Sequence, residues 1–236
     1  MRTIGLDIAP NLGGSLNSQP DRMTAKLALL FSMGAILGGC FGQFNSEGAN
    51  DWLIVPGERA GLIQKHTSER LLVEIFGPEN VRREIIPQAD GQELAGTVVF
   101  PADPLRRIEI FWRDPSTRSS PTEVHVFGEK THWRLMKEIT LGTTLTDLER
   151  LNGRPFEIAG WGWDFGGIVC NWNGGSLEPI LPIQRLVSVV LYTQRFEDLP
   201  SDEQESLHGD SCHPSNLPLI RSLNPSIVYL SILFAK

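Results

Sequence analysis

Cysteine, runs of basic residues and long apolar stretches are scarce in this sequence. Three Cys in 236 residues exclude a disulfide-dense scaffold. The 21 Lys and Arg never gather into a run, and 28 Asp and Glu leave a net charge of −7 with His neutral. That excludes the electrostatic footprint of a nucleic-acid-binding protein, whose affinity rests on neutralising phosphates. HExxH, paired CxxC and EF-hand patterns are missing, as are GxSxG, a phosphate-binding glycine loop, and GxGxxG after a strand. The common signatures of metal, nucleotide and hydrolase chemistry are therefore absent, and no cofactor is expected. What is present is ordinary: 41% hydrophobic residues and 8% aromatics supply a core and exclude wholesale disorder.

One apolar segment stands apart. Leu27 to Leu37 reads LALLFSMGAIL, preceded by Arg22 and Lys26 and followed by Gly38-Gly39-Cys40. A basic flank, a short apolar run and a small-residue exit make a secretory signal. Eleven residues fall short of the roughly 20 that a helix needs to cross a bilayer core, so a retained transmembrane helix is the weaker reading and a buried core helix another. Leu37-Gly38-Gly39-Cys40 resembles the bacterial lipobox, which implies diacylglyceryl transfer to the Cys40 thiol and cleavage ahead of it. Residues 1–39 are then a signal peptide, with Met23 as an alternative start because Met1 to Arg22 is polar and unhelpful to export. Cys40 is a tether, since two or more acyl chains at about 0.8 kcal/mol per buried methylene hold a protein on a membrane. Phe41 stands where an inner-membrane retention signal would place Asp, which favours an outer-membrane address if the source is Gram-negative.

Residues 40–51 read as the lipidated Cys and a polar spacer, and 52–236 as one domain. Removal of residues 1–39 leaves 197 residues with 18 basic and 26 acidic side chains. Within the domain His66 to Val81 aligns with Gly142 to Glu157, pairing Thr67 with Thr143, Leu72 with Leu148, Ile75 with Leu151 and Gly77 with Gly153. Each segment has hydroxyl residues to cap a helix start, apolar positions three or four apart, and a Gly to end the helix. In the second, Thr144 and Asp147 have capping-box spacing. Strand-like runs come next: 96–100 and 107–112 after the first helix, 122–127 between the copies, 156–163 and 167–172 after the second, then 186–193 and 226–234. Helices placed before closely spaced strands predict an α+β fold with an antiparallel sheet. Two degenerate helix-then-strands repeats are expected over about 52–113 and 139–193, with a C-terminal strand over about 226–234.

The segment from Ile139 to Glu178, through its LERLNGRPF, GWGWDFGG and WNGGSLE pieces, resembles a recurring segment of uncharacterised bacterial proteins, many of them predicted lipoproteins. With Trp52 to Ile63 (WLIVPGERAGLI) the likeness covers most of the domain. It implies no particular activity. In architecture the chain also resembles the helix-then-strands repeat of β-lactamase inhibitor protein and of the small lipoprotein of the outer-membrane barrel-assembly machine, a likeness of fold alone.

Four aromatics carry the most distinctive chemistry: Trp161, Trp163, Phe165 and Trp172. Strand alternation would put the first three on one side of an extended segment. They are a candidate binding surface, because Trp is enriched at binding hot spots, or the core of the second repeat, because most large apolar side chains are buried. Asn171 to Gly175 reads as a hairpin turn. His208, Asp210, Cys212 and His213 are weak candidates for Zn²⁺ ligands, without a second ligand pair at a recognised spacing; a mobile polar loop over 197–216 is the simpler reading. Cys212 beside His208 or His213 makes a poor nucleophile and base, with no third group to orient them. Cys170 and Cys212 can form a disulfide in an oxidising compartment, or Cys170 can be a buried thiol. The expectation is a non-catalytic protein-binding or assembly module, held to the membrane by its lipid and facing an envelope protein partner. A hydrolase inhibitor and an envelope enzyme are the alternatives.

Overall fold

A computed structural model of the protein describes residues 51–88, 91–183 and 185–235. The signal segment, Met23 and Cys40 lie outside the described residues. Among those described are four α-helices and twelve β-strands, an α+β fold that is mostly antiparallel sheet.

Six strands make the main sheet: β4 (Val81–Pro87), β5 (Glu93–Val99), β6 (Ile108–Asp114), β7 (Ser119–Phe127), β10 (Val187–Tyr192) and β12 (Ser226–Leu233), in the order β10-β12-β7-β6-β5-β4. Alternation decides which side chains face the core. Ile108, Ile110 and Trp112 of β6 join Val124 and Val126 of β7 in the buried cluster, while Glu109 and Phe111 point to the other face. Against the core face lie helix α1 (Glu69–Phe76) and helix α2 (Leu145–Asn152). Leu72 from α1 and Leu145 and Leu148 from α2 are wholly buried in that cluster, each worth about 1.5–3 kcal/mol over exposure.

Both helices start as their sequences require. Ser68 and Thr144 have extended backbones and accept the amides of Leu71 and Asp147 through their hydroxyls, at 3.3 and 3.2 Å. One residue earlier, Thr67 Oγ1 accepts the Gln64 amide at 2.8 Å, and Thr143 Oγ1 accepts the Thr140 amide at 3.0 Å. Each helix start is also stitched to the start of a long central strand. Glu69 N–H donates to Arg118 O and Ser120 N–H to Thr67 O; Leu145 N–H donates to Pro225 O and Ile227 N–H to Thr143 O. At the helix ends, Gly77 and Gly153 have φ of 86° and 78°, a region that L side chains resist.

A strand over 81–87 was not expected, because VRREIIP carries three consecutive charged residues; β4 is an edge strand, where charge is tolerated and protects the edge. Strand β7 begins three residues earlier than 122–127 suggests, and Trp112 pairs with Pro121 after Phe111 has paired with Glu123. The extra residue is a bulge, a place where Pro inside a strand costs no ladder bond. Three two-residue strands, β1 (Ile54–Val55), β2 (Arg59–Ala60) and β3 (Ile63–Gln64), form a small separate sheet.

A third sheet has the order β11-β8-β9, from β8 (Glu157–Ala159), β9 (Val169–Asn171) and β11 (Cys212–Pro214). Two expectations fail here. Residues 197–216 are not a structureless loop, because they hold helix α3 (Ser201–Ser206) and β11; helix α4 (Pro218–Leu223) comes directly after. Asn173 and Gly174 do turn with positive φ, 55° and 69°, but the chain then runs through a succession of turns to 180 and forms no second hairpin strand there. Strand β9 finds its partner in β8 instead. Cys170 on β9 and Cys212 on β11 form a disulfide with Cα atoms 6.4 Å apart.

Candidate functional site

The GWGWDFGG segment is where sequence and structure differ most. It is not extended: β8 ends at Ala159, and residues 160–168 fold into turns closed by Gly166 N–H to Trp163 O, Ile168 N–H to Phe165 O, and Gly167 N–H to Gly160 O. Positive φ at Gly162 and Gly167, 82° and 80°, breaks the alternation that would have set the aromatics on one side. A side chain on Gly167 would run into Leu191 O, and one on Gly160 into Leu207 O. The glycines are there so that neighbouring backbone can approach.

The aromatic cluster therefore divides. Trp161 is 2% exposed and Trp172 is 0% exposed, against 38% for Trp163 and 47% for Phe165. The candidate surface of four is corrected to two, because Trp161 and Trp172 anchor the core. Trp161 donates its indole N–H to Leu191 O at 3.0 Å and lies 5.4 Å from the Phe196 ring. Trp172 donates to Leu181 O at 2.8 Å and lies 5.0 Å from Phe156. Asn152, buried at the end of α2, donates to Trp172 O and Arg154 O and accepts the Leu177 amide, fixing the turn beneath.

Trp163 and Phe165 meet edge to face with ring centroids 5.4 Å apart, and the Trp163 indole N–H is held by Gly160 O at 3.0 Å. Their loop is clamped from below. Trp161 N–H donates to Leu207 O at 2.8 Å and Gly209 N–H to Trp161 O at 3.0 Å, so residues 207–209 run alongside; the His208 ring packs on Gly162. The result is an aromatic pair presented on a fixed loop, with little conformational freedom left to lose on binding.

The weak metal candidates do not assemble. Cys212 is oxidised in the disulfide, so it offers neither a thiolate ligand nor a nucleophile for His208 or His213. His213 pairs through its backbone with Ile158, His208 lies at Gly162, and Asp210 is exposed. Among the described residues no group of three or more His, Cys, Asp or Glu is placed to hold a metal ion.

A second cluster, on the sheet face away from α1, was legible only in part. TEVHVF set Glu123 and His125 on one face; Ser231 and Tyr229 reach them from β12, and Glu109 from β6. His125 Nε2 is 2.8 Å from Glu123 Oε1, and Ser231 Oγ donates to that same oxygen. Burial opposes ionisation of Glu123, but the bonds from His125 and Ser231 prevail and hold its carboxyl below the usual range. Burial, with the charges of Glu123 and Glu109, pushes the Tyr229 phenol well up. Beside them Arg107 bonds Glu84 at 3.0 Å and Glu109 at 2.9 Å. Ser231 gives its proton to a carboxylate rather than to the imidazole, so the nucleophile-to-base contact that would activate a serine is not made. Charge-assisted bonds here tie β12 to β7, through Ser231 and Glu123, and β4 to the start of β6, through Arg107.

No helix among the described residues is long and apolar enough to cross a membrane. No protein-family model, curated protein or solved structure matches the chain.

Proposed function

We propose that this protein is a lipid-anchored component of the bacterial cell envelope, tethered through Cys40, with a non-catalytic protein-binding or assembly role. The observation that carries the binding role is the Trp163–Phe165 pair, two large aromatic side chains held in fixed geometry at the surface. Aromatic anchors of this kind dominate interface energetics. The anchor rests on the LGGC sequence after a signal-like run. Its consequence is confinement: a domain held at a membrane surface meets partners there at a raised effective concentration.

The fold of such a module is read as two degenerate repeats. Supporting it are the matched starts of α1 and α2, each capped by a hydroxyl and each bonded to the first residues of a central strand, β7 and β12. On that pattern each unit continues past 113 and 193 into its central strand. The test of the binding role is retention of envelope proteins on the immobilised full chain, compared with the Trp163→Ala/Phe165→Ala variant. A protein held by the wild type and lost from the variant supports the reading. Equal recovery on both contradicts it.

A further inference from the structure

Charge is distributed very unevenly along the described residues. Residues 155–184 and 196–220 contain nine carboxylates and no Lys or Arg, although Arg154, Arg185, Arg195 and Arg221 bound them and Arg154 donates to Asn173 O. Elsewhere among the described residues 17 Lys and Arg face 15 Asp and Glu, so the whole net negative charge belongs to these two segments. The fold joins them into one region. Strand β8 pairs with β11, Cys170 is bonded to Cys212, and Trp161 exchanges backbone bonds with Leu207 and Gly209. Trp163 and Phe165 emerge from the middle of it, with Asp164 between them and exposed Glu205 and Asp210 on either side of the 207–209 stretch.

We infer that this disulfide-tied region is a docking surface for a protein that presents Lys or Arg side chains around an apolar patch. The inference rests on the binding role proposed above and adds the chemistry of the partner. Apolar contact with the two rings would supply affinity, and the surrounding carboxylates would steer and select a cationic face while repelling an acidic one. An anionic lipid surface has the wrong sign for this region, although the same protein is tethered to a membrane.

The test uses the full chain with three probes: a labelled amphipathic peptide of Lys and Leu, its Glu and Leu counterpart, and phosphatidylglycerol vesicles set against phosphatidylcholine vesicles, which take up the lipid anchor equally. Peptide binding is followed in detergent by fluorescence anisotropy, and vesicle binding by co-sedimentation after detergent removal. The Lys peptide should bind, and its affinity should fall about tenfold between roughly 50 and 300 mM salt as the charges are screened. Glu205→Lys/Asp210→Lys should weaken it about tenfold and flatten the salt dependence, and Trp163→Ala/Phe165→Ala should weaken it at least about tenfold. Failure of the Lys peptide to bind, equal binding of the Glu peptide, a preference for phosphatidylglycerol over phosphatidylcholine vesicles, or indifference to charge reversal overturns the inference. If charge reversal does nothing while the aromatic variant still loses binding, the binding role survives and only the cationic partner is lost. If neither variant changes binding, both readings fail.

Discussion

Trp161 and Trp163 stand two residues apart and do opposite work, which makes them a sharp test at the residue scale. Trp161→Ala removes a buried ring and its bond to Leu191 O, and should cost about 3–5 kcal/mol of unfolding free energy. Trp163→Ala, at the surface, should cost less than about 1 kcal/mol. Urea denaturation of both variants checks the pair; equal losses would mean that the loop is not arranged as described. Asn152→Ala strands the partners of three hydrogen bonds beneath Trp172 and should cost about 2–4 kcal/mol by the same measurement. The residue types in this segment were readable from sequence as the distinctive chemistry of the chain. Their sorting into core and surface was not, because it depends on two glycine φ angles and on residues 207–209, far away in sequence.

At the scale of elements, what was legible was what is local. The capped starts of α1 and α2 and their glycine ends arise from a few adjacent residues, and so does the alternation of β6. Strand β4 was hidden because its pattern is that of a charged edge, and β11 because a three-residue strand exists only through its partner β8. The disulfide between β9 and β11 was one of two open readings, since no sequence rule brings two Cα atoms together. Replacing Cys170 and Cys212 together by Ala should lower stability by about 2–4 kcal/mol, read from denaturant midpoints under oxidising conditions. The start of α1 predicts a pH effect. Burial disfavours ionised Glu69, but hydrogen bonds from Arg83 and Thr97, and the charges of Arg83 and Arg118, hold its folded-state carboxyl below the ordinary value. A depressed carboxylate contributes stability that is complete above its unfolded-state pKa and fades as pH falls through the folded one. The stability gap between wild type and Glu69→Gln should thus be widest near neutrality and close between about pH 5 and pH 2. A gap that widens on acidification would contradict the assignment.

For the whole molecule, the overall charge of −7 hides an almost balanced body joined to a strongly acidic region. Composition read as an average argued against nucleic acid, but it is the fold, through the pairing of β8 with β11 and the Cys170–Cys212 disulfide, that brings the two acidic segments together. The proposed tether rests on sequence alone, and intact-mass measurement of membrane-extracted protein should find a chain starting at Cys40 with added acyl mass; a chain retaining residues before Cys40 without that mass contradicts it. The binding role is the central claim, and a photo-cross-linking side chain at position 163 of the full chain, in intact cells that make it, tests it most directly. An adduct with one discrete protein, absent when the same side chain replaces exposed Arg70 on α1, is the predicted result. Identical adducts from both positions, or none from 163, would contradict it.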